Sequence, residues 1–178
     1  HVSLIGSTVS NHGDIIVEDG TIALIAGSKV LLTTLGGHLF VTVDRAPEDP
    51  GMSRAGVENT GLLDAGGGEV ILTTGDLYSL AINHTGITRG RHIRLEGGNG
   101  GIVHVSRGPQ GTGIVDASDR SEGATGGTIE VLGDMVALLD AELDASGDAG
   151  GGVIKVGGDV RGEGENRNAK RTYVDGKT

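Results

Sequence analysis

The chain has 178 residues, among them 35 glycines, 3 prolines, 2 tyrosines, 1 phenylalanine, and neither tryptophan nor cysteine. Disulfide and thiol chemistry are therefore excluded, and the large aromatics that usually fill a globular core of this size are nearly absent. A formal net charge of −10 opposes nucleic acid and anionic membrane as partners, and no apolar run approaches the roughly 20 residues needed to span a bilayer.

What apolar content there is consists of Val, Ile, Leu and Ala in short runs bounded by Gly, Asn or Asp, the pattern of short strands. Taken in chain order, Ile15 opens a first type of strand behind an Asn/Gly turn. Ile22 and Leu24 alternate as a second type, and residues 30–32 follow a Gly turn as a third. The same series returns with Leu62-Leu63, Val70/Leu72 and 77–82, then with Ile87, Ile93/Leu95 and 102–105. It returns again with Ile114-Val115, Ile129/Val131 and 136–139, then with Leu143 and Ile154/Val156, and Val174 is read as a further first strand. Recurrence in register sets aside a disordered Gly-rich chain.

First strands at positions 15, 62, 87, 114, 143 and 174 are spaced by 47, 25, 27, 29 and 31 residues. The last four intervals suit one coil of a β-solenoid with elastic turns. The first is too long: either two coils are compressed there, or one coil carries an excursion in which Leu39-Phe40-Val41 adds a strand pair. Pro47 and Pro50 bar that stretch from a central sheet, which favours the excursion.

Turn chemistry recurs with the strands. Gly75-Asp76, Gly133-Asp134 and Gly158-Asp159 close second strands, where Gly27-Ser28 and Gly97-Gly98 stand in other coils. Leu63-Asp64-Ala65, Val115-Asp116-Ala117, Leu143-Asp144-Ala145 and Val174-Asp175-Gly176 form another series. Asn11-His12-Gly13, Asn59-Thr60-Gly61 and Asn83-His84-Thr85-Gly86 form a third. Gly supplies positive φ, and Asp or Asn bonds the local backbone. Three series in one order predict an all-β fold: a parallel β-solenoid of about five to six coils, each with three short strands, as a single array over 1–178. Alternation places Ile129, Val131, Ile154 and Val156 inside and Glu130 and Lys155 outside, with Arg94, Glu130 and Lys155 in one outward column. No cap is legible at either end, so the terminal rungs are expected to leave open edges.

The runs 59–76, 83–106 and 112–159, with the tail from Gly157 through Arg171-Thr172-Tyr173-Val174, resemble the shaft repeats of filamentous-haemagglutinin-like exoproteins. These are large adhesins that Gram-negative bacteria export by two-partner secretion. The resemblance covers most of the chain and implies a right-handed parallel β-helix, transport across the outer membrane, and a place in a cell-surface or secreted fibre. The Asn-Pro-Asn-Gly motif of that family's secretion domain is missing, since no Asn-Pro pair occurs here. The expectation is therefore a shaft segment of a longer exported protein, with its receptor-binding part elsewhere.

Candidate chemistry is sparse. Asp116, Asp144 and Asp175 share a repeat position and as a column could hold Ca²⁺, or supply the acid/base pair of a β-helix enzyme acting on acidic polysaccharide. Arg89 interrupts that column and the calcium-roll repeat Gly-Gly-x-Gly-x-Asp is absent, which favours separate turn residues. The six histidines, at 1, 12, 38, 84, 92 and 104, lack metal-ligand spacing, and His12 and His84 are read as turn residues. Gly97-Gly98-Asn99-Gly100-Gly101 resembles a phosphate loop but precedes a strand rather than a helix, so it is read as a turn. The expectations are no catalytic residue, no cofactor, no metal and no enzyme activity. Partners are neighbouring coils of the same or a longer chain, head-to-tail copies, and a host-surface or polysaccharide ligand. The loops 44–56, 106–112 and 161–171 are the stretches where binding would be added.

Overall fold

In the computed structural model, residues 1–27, 55–76, 78–108 and 111–178 are described in full, and the backbone also over 29–35 and 38–45. The first coil comprises β1 (Val2–Gly6), β2 (Val9–Asn11) and β3 (Asp14–Ile16), and β4 (Thr21–Ala26) opens the next. After β4 the chain leaves as β5 (Lys29–Leu35) and β6 (His38–Arg45), then returns as β7 (Val57–Asn59) and β8 (Leu62–Asp64). Regular coils follow: β9 (Glu69–Thr74), β10 (Leu80–His84) and β11 (Ile87–Arg89), then β12 (His92–Glu96), β13 (Ile102–Ser106) and β14 (Ile114–Asp116). The chain continues through β15 (Thr128–Leu132), β16 (Met135–Leu139) and β17 (Glu142–Asp144) to β18 (Val153–Val156), a 3₁₀ turn (Val160–Gly162) and β19 (Arg171–Val174).

Every third strand stacks in parallel on its predecessor. Face 1 has the order β1-β4-β9-β12-β15-β18, face 2 β2-β7-β10-β13-β16-β19, and face 3 β3-β8-β11-β14-β17. This is a parallel β-helix, and its second strands are those the alternation named. Register is kept along the whole of face 1: Val2, Ile22, Val70, Ile93, Ile129 and Ile154 form one inward column, and Leu4, Leu24, Leu72, Leu95, Val131 and Val156 the next. Face 2 contributes Val9, Val57, Ile82, Val103 and Val136, and face 3 Ile15, Leu63, Thr88, Val115 and Leu143. These columns supply most of the buried core, in which each Val, Ile or Leu contributes about 1.5–3 kcal/mol.

The long first interval is an excursion, as favoured: β5 and β6 pair antiparallel, with Val30 opposite Val43 and Leu35 opposite His38. Residues 30–32 are therefore not the third strand of their coil. That place belongs to β7, which stacks between β2 and β10. The prolines at 47 and 50, Ser28 and Leu77 lie outside the described residues. Val174 also needs reassignment: β19 stacks on β16, with Val174 opposite Leu138, so it is a face-2 strand and not a first strand. An interval of 31 had matched the trend of the other coils while actually crossing to another face.

Glycine serves the corners. A Cβ on Gly61 would lie 2.1 Å from the Gly13 carbonyl oxygen, and one on Gly86 2.1 Å from that of Gly61, so these backbones stack too closely for any side chain. The terminal rungs differ from the interior. Ile154 is 44% exposed and Val156 is half-buried, whereas Ile129 and Val131 are fully buried. The inward direction expected of Ile154 holds, but no rung lies beyond it, so its expected burial does not.

Candidate functional site

The proposed aspartate column breaks up. Asp116 and Asp144 are register partners between β14 and β17, with Arg89 and then Asp64 below them. Asp175 lies beyond β19 and takes its place in another corner, accepting from the Asp140 amide at 3.0 Å. Each of the paired carboxylates turns back on its own chain. Asp116 accepts from the Ser118 amide at 2.9 Å, and Asp144 from the Ser146 amide at 2.8 Å. Their other oxygens face Arg89 at 3.7 Å and Arg120 at 3.4 Å. The pattern is that of turn carboxylates, and among the described residues no group of three or more His, Asp or Glu is placed to hold a metal.

His84 is not a turn residue. It ends β10 pointing inward, fully buried, in line with Asn11 and Asn59; Asn83 points outward instead. The Asn11 Nδ2 donates to Asn59 Oδ1 at 2.8 Å, and Asn59 Nδ2 lies 3.1 Å from His84 Nδ1. Beyond it, His84 Nε2 lies 3.1 Å from the Ile114 carbonyl. A carbonyl only accepts, so Nε2 carries the proton and Nδ1 accepts from Asn59. Burial pushes the imidazole pKa down to about 4, only partly offset by the bond to Ile114. His12 stays at its turn, bonded to Thr60 Oγ1 at 2.7 Å, and His104 bonds Asn83 on the outer surface at 3.1 Å. His1 contacts Ser3, His92 is exposed at the start of β12, and of the His38 side chain nothing is described.

Glu130 lies between Arg94 and Lys155 on face 1, in the outward column the alternation required. It pairs with the Arg94 guanidinium and, at 3.1 Å, with Lys155 Nζ, which also reaches Asp159 at 2.7 Å. Burial works upward on the Glu130 carboxyl, but the bonds from Lys155 and Arg94 hold it below its ordinary range. The segment 161–171, expected to protrude for binding, instead folds back along the helix. Asn166 bonds Arg94 and Glu130, while Arg167 reaches Asn99 and the Gly97 carbonyl, both in the coil before Asp134. Arg167 and Lys170 hold the buried Asp134 at 3.2 and 2.7 Å. Gly97 to Gly101 is a turn, as read, with Asn99 bonded to Asp76 and the Gly100 amide to Asp134. Of the other loops, 106–112 is described apart from 109–110, while 46–54 lies outside the described residues.

Among the described residues, a concave feature lies at the corner between faces 3 and 1. There the chain turns through 65–68 after β8, through 90–91 after β11, and through the long stretch 117–127 after β14. The turn 90–91 is recessed between its neighbours, leaving a notch of about 290 Å³ lined by Gly66, Gly67, Arg91, Ala117, Ser118, Asp119 and Ser121. Arg91 Nη1 donates to Asp119 Oδ2 at 3.1 Å and to the Thr125 carbonyl at 3.3 Å. Bonds from Ser121, then the charge of Arg91, hold the Asp119 carboxyl below the usual range. The upper wall is braced by the next coil, where Asp119 bridges to Gly147 and Thr125 to Gly150. No family model matches the chain, and no curated protein or solved structure matches it significantly. Of the notch residues the sequence analysis names only Ala117, in the Val115-Asp116-Ala117 turn series, and reads none as a site. The available signal was the stretch of polar residues that lengthens the interval from Ile114 to Leu143 to 29.

Proposed function

We propose that this chain is a structural shaft segment of an extracellular adhesin or surface fibre, of the kind two-partner secretion places on the Gram-negative cell surface, without catalysis. The observation that carries the reading is the uninterrupted set of inward columns, which reach both terminal rungs with apolar side chains still exposed. Leu4 is 37% exposed at one end, Ile154 44% and Val174 51% at the other. A parallel coil offers the same ladder to whatever stacks on it, so such rungs can take a further coil. The outer surface supports a spacer role: charges are neutralised in place along Arg94–Glu130–Lys155, and Asp116 and Asp144 are tied to their own turns.

The test is a graft. Residues 1–178 replace an equal length of shaft in a two-partner-secreted exoprotein, and surface display is scored by antibody and protease on intact cells. Display at the parent level is expected; retention in the periplasm would reject the reading. A second reading, a filament subunit that stacks copies end to end, rests on the same exposed rungs. Incubation with polygalacturonate, followed by product absorbance, tests the enzymatic alternative; depolymerisation would displace both structural readings.

A further inference from the structure

We propose that the notch between residues 65–68 and 117–127 binds a single ring of a neutral saccharide. Coils stack about 4.8 Å apart, so the recessed coil carrying Arg91 leaves a gap of about 10 Å between the coil of Gly66-Gly67 and that of Ser118-Asp119. Its volume of about 290 Å³ lies at the low end of ligand sites, about 300–1,000 Å³, and suits one ring rather than an oligomer.

The lining selects the class. Arg91 and Asp119 present opposite charges 3.1 Å apart and side by side, an arrangement that gives and takes hydrogen bonds from adjacent hydroxyls. Arg91 spends Nη1 on Asp119 and Thr125, and its Nε and Nη2 donors are not used in these bonds. Ser118 and Ser121 line the same wall; the Ser118 hydroxyl donates to Asp116 at 2.6 Å and that of Ser121 to Asp119, so each offers a ligand its oxygen as acceptor. An anion would meet Asp119, which stays ionised, and the chain's formal charge of −10. A cation would meet Arg91. An apolar ligand would find no aromatic or branched aliphatic surface, since Ala117 is the largest apolar side chain in the lining. A neutral polyhydroxylated ring satisfies every group without leaving a charge unpaired.

The experiment titrates the ¹⁵N-labelled chain with the methyl glycosides of glucose, galactose and mannose, and separately with glucuronate, following backbone amide shifts. At least one neutral glycoside is expected to give saturable shifts at Gly66, Gly67 and residues 117–121, with millimolar affinity, and glucuronate to bind more weakly. Asp119→Asn and Arg91→Lys are each expected to weaken that binding about tenfold or more, while their spectra elsewhere stay those of the folded chain. Three results would overturn the assignment: no saturable shift with any of the neutral glycosides, shifts confined to another surface, or tighter binding of glucuronate. Undiminished affinity in Asp119→Asn would do the same, and should Arg91→Lys fail to fold, that variant and the wild-type titration decide.

Discussion

The buried Asn11–Asn59–His84 ladder makes stability depend on pH between about 6.5 and 4. The imidazole is neutral in the folded chain with its pKa lowered to about 4, against an ordinary value of 6.5 in the unfolded chain. Its contribution is therefore complete above about pH 6.5. As the pH falls the unfolded state takes up the proton first, and the contribution is gone at about pH 4. About 2.5 units at 1.36 kcal/mol per unit correspond to about 3 kcal/mol, a large share of a domain's stability. The ladder cannot reverse to accept the proton. A protonated Nδ1 would point at Asn59 Nδ2, and turning both amides over would aim Asn11 Nδ2 at the Gly13 amide that now donates to Asn11 Oδ1 at 3.3 Å. Among the described residues no charged side chain faces the ring: Glu58 and His104, on the strands to either side, point outward. Urea unfolding followed by far-UV circular dichroism, repeated in steps between pH 7 and 4, measures the loss. His84→Asn keeps a ladder amide but cannot titrate, so its curve is expected to lose most of that pH dependence and keep only the part due to His104, whose pKa burial also lowers, until the carboxylates protonate below about pH 4. Parallel loss in wild type and His84→Asn between pH 6.5 and 4.5 would refute the assignment to this ring.

Glu130→Lys would put three cations in a column on face 1; a loss of about 1–2 kcal/mol is expected, larger at low salt than at high, in thermal melts across a salt series. Gly86→Ala would drive a Cβ to 2.1 Å from the Gly61 oxygen and is expected to cost about 1–3 kcal/mol by urea denaturation. Gly13→Ala, in the same column but with nothing within 4 Å, is expected to be near neutral. Ile129→Asp buries a carboxylate in the middle of an inward column and is expected to abolish the cooperative transition, visible as loss of the far-UV β signal. Because its terminal rungs are unpaired, the chain is expected to form longer rods as salt screens its net charge, seen by light scattering and electron microscopy; a monomer at every ionic strength would count against end-on stacking.

The architecture was legible because the inward pairs of face 1 recur: Ile22/Leu24, Val70/Leu72, Ile93/Leu95, Ile129/Val131 and Ile154/Val156 are in register as read, even though the outward places of β4 and β9 also hold buried apolar residues, Ala23, Ile25 and Ile71. Face 2 was harder. Its strands β2 and β7 span three residues each and end in a buried Asn, so they read as turns. In β10 the same inward place is filled by His84, one position after the Asn that seemed to match, since Ile82 rather than Ala81 pairs with Val57 and Val103. A polar residue buried beside its own kind breaks the rule that strands alternate apolar with polar. The notch escaped for a different reason. It is made by a difference in turn length between neighbouring coils, and each turn taken alone is an ordinary polar loop.

Strand number sets how separate copies of residues 1–178 could stack. Among the described residues, faces 1 and 2 hold six strands each, and face 3 holds five. A copy docked end-on, with β1 on β18 and β2 on β19, would close faces 1 and 2 but leave a gap one strand high on face 3, between β17 and the β3 of the copy. Continuing chain that turned from β19 onto β17 would fill that gap before starting the next coil. Stacking between copies therefore gains two strand pairs where a continuous coil gains three, and it leaves the inward side of Leu143 partly uncovered. That gap limits how firmly separate copies of residues 1–178 can stack. It also gives the rods predicted at high salt a specific weakness: they should come apart on dilution at a denaturant concentration that leaves each coil stack intact.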